Sequence, residues 1–323
     1  MKVVIVDGYH QDYSREIELY RQNGVELVAE HVGSDEECIE KCKDADGLIV
    51  MMRKIGRNVI EKLDHCKMMI RHGVGFDNFD VEAATEKGIA VCNVPRASTE
   101  EVATQAVALA LDCVRQITYN DRLSRAGKQG DQVGLNVRRL SGQTFGLCGF
   151  GGIARAVAVR MRGFGCKIIA YDPYVDDAVF AEMGVERVTM EQLCRRADIL
   201  SVHIPMSDAT YHTIAKPQFD MMKKGVIFVN TARGGVVSQS DLCDALDAGI
   251  VKAAGLDVLE TEPIIKYPNE RILGYEQVVI TPHCGGAGLE ANMDMRACVF
   301  ETPLKILRGE AVDNIVNKQA LGK

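Results

Sequence analysis

Short β-branched runs alternate with amphipathic stretches of about ten to fifteen residues along nearly the whole chain, which confines it to βαβ units and parallel sheets. Parallel neighbours need a crossover connection, so helices cover the sheet faces and the strands read as continuous apolar runs rather than alternating ones. Strands are expected at residues 3–7, 25–30, 47–51, 68–71 and 89–91, and again at 143–148, 167–172, 199–203, 226–230, 253–257 and 278–281. Two series of this kind in 323 residues predict two α/β domains, and a chain of that size buries its core without disulfides or metals. Between them, Ser98-Thr99-Glu100-Glu101 has the form of a capping box, and Val102, Ala106, Leu109 and Val114 mark the apolar face of one long helix over 98–125. The Gly-rich, polar stretch 126–142 is expected to be a loop.

Composition removes several function classes. Lys and Arg total 38 against 45 Asp and Glu, a net charge of −7, and no basic run is present to neutralise a phosphate backbone, so a nucleic-acid partner is not expected. The eleven Cys are scattered through apolar surroundings without a pair of CxxC motifs, which predicts reduced thiols in a cytoplasmic protein and no metal site. The first apolar run stops at Asp7, and no stretch approaches the length of a membrane span, so neither a signal segment nor a membrane partner is expected.

Gly149-Phe150-Gly151-Gly152-Ile153-Ala154 is a G-x-G-x-x-A turn between a strand and a helix. Gly149 permits the tight turn, Gly151 lets the backbone approach a pyrophosphate, and the helix N-terminus faces the anion. The next strand ends in Asp172, 21 residues after Gly151, where a carboxylate can accept from both ribose hydroxyls. Its charge would repel a 2′-phosphate, and Pro173-Tyr174-Val175 carries no cation to bind one, so NAD is favoured over NADP. The first strand runs into Asp7-Gly8 without a comparable glycine pair, so its domain should bind something else.

Hydride transfer at a carbonyl needs a cation to polarise the oxygen or hold a carboxylate, and a group that exchanges a proton near neutral pH. Three side chains follow strand ends in the second series: Arg233 in Asn230-Thr231-Ala232-Arg233-Gly234-Gly235, Glu262 in Glu260-Thr261-Glu262-Pro263, and His283 in Thr281-Pro282-His283-Cys284. That edge is where open α/β sheets bind ligands, although each residue alone also suits a surface ion pair, a turn cap or a backbone-bonded imidazole.

Together with Arg71-His72-Gly73-Val74-Gly75-Phe76-Asp77-Asn78 and Gly88-Ile89-Ala90-Val91-Cys92-Asn93-Val94-Pro95, these motifs resemble the D-isomer-specific 2-hydroxyacid dehydrogenases over nearly the whole chain. Within that family the chain looks most like the branch of the C-terminal-binding proteins and phosphoglycerate dehydrogenase-like enzymes. The resemblance implies two Rossmann-like domains with parallel sheets. A discontinuous substrate domain would comprise residues 1–99 and 290–323, with an NAD-binding domain at 100–289 and a helix over 287–307 returning the chain to the first. It implies that Arg233 binds the carboxylate and carbonyl of a 2-oxo acid, that His283 gives a proton to the carbonyl oxygen, and that Glu262 pairs with His283 and favours its charged form. It also implies substrate contacts from the Val74 and Gly75 backbone. NAD contacts are implied for Gly149, Gly151, Gly152, Ile153, Asp172, His203, Pro205, Thr210, Thr231, Ala232 and Gly286, with Asp257 accepting from the nicotinamide carboxamide. A homodimer joined partly by the 98–125 helix is implied as well.

Position alone suggests Met51, Met52, Arg53 and Arg71 for the distal end of the substrate. Three departures from the family pattern stand out. Thr104 and Ala106 replace an acid and a threonine on the long helix, the Met51–Lys54 segment lacks the Arg-Ser-x-Thr arrangement of a phosphate site, and Cys284-Gly285-Gly286 puts no aromatic residue after His283. The second of these counts against phosphoglycerate as substrate. The alternative function is an NAD(H)-responsive, corepressor-like module that binds a peptide with little turnover; the retention of all three reactive side chains argues against it.

Overall fold

A computed structural model describes residues 1–8, 12–128 and 137–318, and the chain divides into two compact units, Met1–Ser98 with Gly288–Lys323 and Thr99–Ala287. In the first unit, β1 (Lys2–Ile5), α1 (Ser14–Gln22), β2 (Glu26–Ala29), α2 (Asp35–Cys42), β3 (Gly47–Val50), α3 (Arg57–Ile60), β4 (Met68–Arg71), α4 (Val81–Glu86) and β5 (Ala90–Cys92) alternate strictly. The five strands form one parallel sheet in the order β2-β1-β3-β4-β5. Successive side chains point to opposite faces, so Val4, Leu48 and Met69 enter one buried cluster while Val3, Ile49, Met68 and Ile70 enter another. Both faces are dry, which is why the strands read as unbroken apolar runs.

The second unit contains α5 (Thr99–Arg115), α6 (Ile117–Arg125), β6 (Thr144–Cys148), α7 (Gly152–Gly163), β7 (Lys167–Tyr171), α8 (Asp177–Met183), β8 (Glu186–Arg187), α9 (Met190–Arg196), β9 (Ile199–Val202), α10 (Lys216–Met221), β10 (Val226–Asn230), α11 (Gln239–Asp247), β11 (Val251–Leu256) and β12 (Val278–Ile280). Its seven strands are all parallel, in the order β12-β11-β10-β9-β6-β7-β8. The order runs outward in both directions from the β6/β9 pair, which creates the switch point where such sheets hold ligands beyond their carboxyl ends. The chain then re-enters the first unit with α12 (Leu289–Leu307). There the Tyr20 hydroxyl donates to the Phe300 carbonyl at 2.9 Å, joining α1 to α12 although they lie far apart in sequence.

The fold class expected from the sequence is the one observed, with two local differences. The single helix expected over 98–125 is broken at Gln116, whose φ of 56° is left-handed. Asp112 explains the break: its carboxylate accepts from the Thr118 N–H at 2.8 Å and from the Thr118 hydroxyl, so a side chain takes over where the helical ladder is interrupted. The two-residue edge strand β8 was not expected, being too short to carry a pattern. Of the expected 126–142 loop, residues 129–136 lie outside the described residues, and Leu140–Gly142 forms a single 3-10 turn. All eleven cysteines are free thiols, and among the described residues no helix is long and apolar enough to cross a membrane.

One buried charge organises the segment after β3. Asp7, 2% exposed, accepts from the backbone N–H groups of Met51 at 2.6 Å, Met52 at 2.5 Å and Arg53 at 2.8 Å. Asp7→Ala would strand these donors, and urea denaturation should show a loss of about 3 kcal/mol, since an unpaired buried polar group costs ~1–3 kcal/mol. A change below about 0.5 kcal/mol would contradict this account, being the size of an ordinary surface substitution.

Candidate active site

The carboxyl ends of β10, β11 and β12 lie side by side. Asn230 is in register with Leu256, and Leu256 with Ile280, so three successive chains leave the sheet at one level. Arg233, Glu262 and His283 each follow one of these ends. Asn230, 1% exposed, shapes the first turn: its side-chain Oδ1 accepts from the Ala232 N–H at 3.0 Å and its Nδ2 donates to the Arg233 carbonyl at 3.0 Å. Gly234 is required next, because a Cβ there would lie 1.8 Å from the Leu259 carbonyl oxygen. The loop after β10 therefore runs backbone against backbone along the loop after β11.

Glu262 closes the second loop by accepting from the Leu259 N–H through Oε1 at 3.0 Å, and accepts from His283 Nδ1 through Oε2 at 2.9 Å. Burial pushes its carboxyl up, but the bonds from His283 and Leu259, aided by the positive charge of Arg233, more than offset this and hold it below the ordinary value. The charge of Arg233 thus bears on the same carboxylate that His283 touches. Because the shift is downward, the stability that the pair contributes is present above the ordinary glutamate range and is lost as pH falls through the lowered value. The guanidinium of Arg233 donates from one nitrogen to the Ala232 carbonyl at 2.8 Å.

His283 has a left-handed φ of 52°, a conformation that must be imposed on a non-glycine residue. Asp257, 2% exposed, imposes it. Its backbone carbonyl accepts from the His283 N–H at 2.8 Å, while its carboxylate accepts from the Thr281 hydroxyl at 2.5 Å, the Cys284 N–H at 3.0 Å and the Gly285 N–H at 2.8 Å. Both carboxylate oxygens of Asp257, expected on resemblance at the carboxamide, act within this turn. Gln105, between Thr104 and Ala106 on α5, donates to the Thr281 hydroxyl at 3.1 Å, whereas Ala106 is fully buried. Sequence reasoning noted Thr104 and Ala106 but missed Gln105, and it missed Asn230, Gly234 and Thr281 as shapers of the loops; the paired glycines after Arg233 were the one available signal.

Of the residues expected to hold NAD, Gly149 and His203 follow the two adjacent strands of the switch point, β6 and β9. Gly149, at φ 95°, donates its N–H to the Tyr171 carbonyl at 2.8 Å, and a Cβ on it would strike the His203 carbonyl at 2.8 Å. Gly151 faces open space, and α7 begins there with no side chain capping its N–H groups. Gly152 and Ile153 form the first turn of α7. The Asp172 carboxylate accepts from the Phe150 N–H at 2.8 Å, the Tyr174 N–H at 2.9 Å and the Val175 N–H at 3.2 Å, which fixes it at the end of β7 with one of its roughly four acceptor sites remaining. Arg187, missed in the sequence, donates to the Asp172 carbonyl at 2.9 Å and to Asp177 at 2.5 Å, and lies over the Phe180 ring. Just past β9, burial pushes the His203 imidazole down to about 4, and its Nε2 bonds the Ser201 hydroxyl at 2.8 Å. Thr210 closes the next loop on the Pro205 carbonyl at 2.7 Å. The Thr231 hydroxyl, beside Ala232, is buried and has no hydrogen-bond partner among the described residues. An uncapped helix N-terminus, an open glycine, a fixed carboxylate and an orphaned hydroxyl fit a dinucleotide. Gly286 is half-buried just beyond the Asp257 turn.

In the first unit, Val74 and Gly75 follow β4, and Asn93 donates to the Val74 carbonyl at 2.7 Å. Arg71 folds over its own loop, donating to the His72 carbonyl at 2.5 Å and touching the Met52 sulfur at 3.6 Å. Arg53 is turned elsewhere: its guanidinium donates to Asp35 at 2.7 Å and to the Val32 carbonyl at 3.1 Å, leaving the side chain only 15% exposed.

The sequence model of the NAD binding domain of D-isomer specific 2-hydroxyacid dehydrogenases matches residues 107–285. The D-3-phosphoglycerate dehydrogenase of Methanocaldococcus jannaschii is 40% identical over an alignment that covers 100% of this chain and 62% of that relative, so the chain spans under two thirds of its length. The glyoxylate reductase of Thermococcus litoralis is 37% identical, with 88% of this chain and 87% of the relative covered. Among solved structures, a glyoxylate reductase from Paecilomyes thermophila superposes with a TM-score of 0.89 at 29% identity, covering 98% of this chain and 99% of that one.

Asp172→Ala should weaken NADH binding about tenfold, a loss of ~1.4 kcal/mol, and narrow the preference over NADPH, as read by fluorescence titration of both cofactors. An unchanged NADH dissociation constant would contradict the placement of the ribose at β7.

Proposed function

The chain belongs to the D-isomer-specific 2-hydroxyacid dehydrogenase family, and from that premise we propose that it is an NAD-dependent oxidoreductase acting between a small 2-oxo acid and its D-2-hydroxy acid. The bond from His283 Nδ1 to Glu262 at 2.9 Å, with the charge of Arg233 on the same carboxylate, carries this reading. When bound, nicotinamide supplies or accepts the hydride, so the protein has to orient the acid and manage one proton.

Those tasks fall to named atoms. With Nδ1 donating to Glu262, the proton that His283 gives to the carbonyl oxygen, or takes from the hydroxyl, is carried on Nε2. Glu262, accepting from Nδ1, fixes the plane of the ring and leaves Nε2 for the substrate. Arg233 grips the substrate carboxylate and polarises its carbonyl, a task suited to a guanidinium fork. Residues Gly149–Ile153, Asp172, Thr231 and Ala232 are assigned to the dinucleotide, and the Val74 and Gly75 backbone and Arg71 to the acid. Arg53 is left out because Asp35 already holds it. Asp257 is assigned to shaping the His283 turn. A homodimer belongs to the same reading.

An NADH-oxidation assay over a panel of 2-oxo acids tests the activity; no turnover on any of them by protein shown to bind NADH would sink it. His283→Ala should lower kcat by about 10²- to 10⁴-fold with NADH affinity unchanged, whereas Arg233→Ala should raise KM and lower kcat together. Loss of cofactor binding alone in either variant would contradict the assigned roles. Glu262→Gln removes the carboxylate that accepts from His283 Nδ1, so kcat should fall by about tenfold or more with NADH affinity unchanged, and an unmoved kcat would reject the pairing.

A further inference from the structure

A second histidine–glutamate pair stands next to the first. His212 Nε2 donates to Glu260 Oε1 at 2.6 Å, and the Tyr211 hydroxyl, whose ring stacks on the imidazole at 3.8 Å, donates to the same oxygen at 3.1 Å. Glu260 precedes Glu262 by two residues. Like His283, His212 is held in the left-handed region, at φ 51°.

We propose that His212 is a positioning residue which, through Glu260, locks the loop that carries Arg233 to the loop that carries Glu262. The inference rests on the roles proposed above for those two residues. His212 touches both loops: its backbone N–H donates to the Gly235 carbonyl at 2.9 Å, on the Arg233 side, while its ring holds Glu260 on the other. Glu260 is in turn clasped by Gln239, whose N–H donates to Glu260 Oε2 at 3.0 Å and whose side-chain oxygen accepts from the Glu260 N–H at 3.2 Å. The Gln239 amide continues to Glu270 at 3.0 Å, which also accepts from the Thr261 hydroxyl at 3.3 Å. Between these clasps the two loops meet where Gly234 abuts the Leu259 peptide, and the Leu259 N–H is the donor that fixes Glu262. A displacement of Glu260 is therefore passed through one peptide to the carboxylate that orients His283. Glu260 itself is pushed up by burial but held low by the bonds from Gln239 and His212, so it is a charged anchor at neutral pH.

The geometry dictates the variants. His212→Asn tolerates the left-handed backbone but is too short to reach Glu260, whereas His212→Gln keeps an N–H at the distance of Nε2. In His212→Asn, kcat should fall about 10- to 100-fold while NADH affinity stays unchanged, because a displacement of about 1 Å at reacting groups costs that much. His212→Gln should recover most of the loss. The second readout is independent of turnover: in protein labelled with ¹⁵N-histidine, with the His283 signals assigned by their loss in His283→Ala, the Nδ1 signal should change in His212→Asn and return in His212→Gln. Unchanged His283 signals in His212→Asn overturn the proposal, whatever happens to the rate or to thermal stability. If the wild type turns over no 2-oxo acid, the functional reading fails, and the imidazole spectra still decide whether His212 positions the Glu262–His283 pair.

Discussion

Three neighbouring parallel strands that end level with one another are the constraint on which the candidate site depends. Hydrogen-bonded register between β10, β11 and β12 sets Asn230, Leu256 and Ile280 side by side, so the chains beyond them emerge at one edge. A guanidinium, a carboxylate and an imidazole drawn from three distant stretches of sequence can then act on one another without any long flexible arm. β10 and β11 are buried on both faces and cannot shift without losing core packing.

Rigid strands alone would not aim the side chains, and the loops do that with buried polar groups. Asn230 closes one turn, Glu262 another, and the Asp257 carboxylate a third. Each of these groups is satisfied by backbone N–H donors, which is why such charged and amide side chains can lie in or near the interior at all. The same device recurs in the first unit, where Asp7 gathers three N–H groups, and at β7, where Asp172 also gathers three while keeping its place at the proposed ribose site. Carboxylates here act first as acceptors that shape a loop. Glu262 and Asp172 combine that task with a proposed role toward a ligand, and Asp257 accepts from Thr281, Cys284 and Gly285 of its own turn.

The cofactor cradle obeys a different constraint, close approach. Gly149 sits against the His203 carbonyl because β6 and β9 are adjacent at the point where strand order reverses, and a side chain would force them apart. Beyond Gly149, Gly151 faces open space, and among the described residues no side chain caps the N-terminus of α7. An anion supplies what is lacking there.

Strand and helix succession, the parallel class of both sheets and the glycine turn were all legible in the residues, since each follows from local periodicity or from backbone freedom at single positions. The order of Arg233, Glu262 and His283 after strand ends was legible too, and strand adjacency supplied their approach. Contacts between side chains distant in sequence left no local trace. Nothing in the 98–125 pattern announced that Asp112 would take over a backbone acceptor and split the helix at Gln116. Nothing marked Gln105 as the partner of Thr281, Asp35 as the group that turns Arg53 aside, or Glu260 as the anchor of His212. Periodicity encodes which face of an element is buried, but the identity of a hydrogen-bond partner depends on where two separate loops come to rest, and packing of the whole sheet settles that.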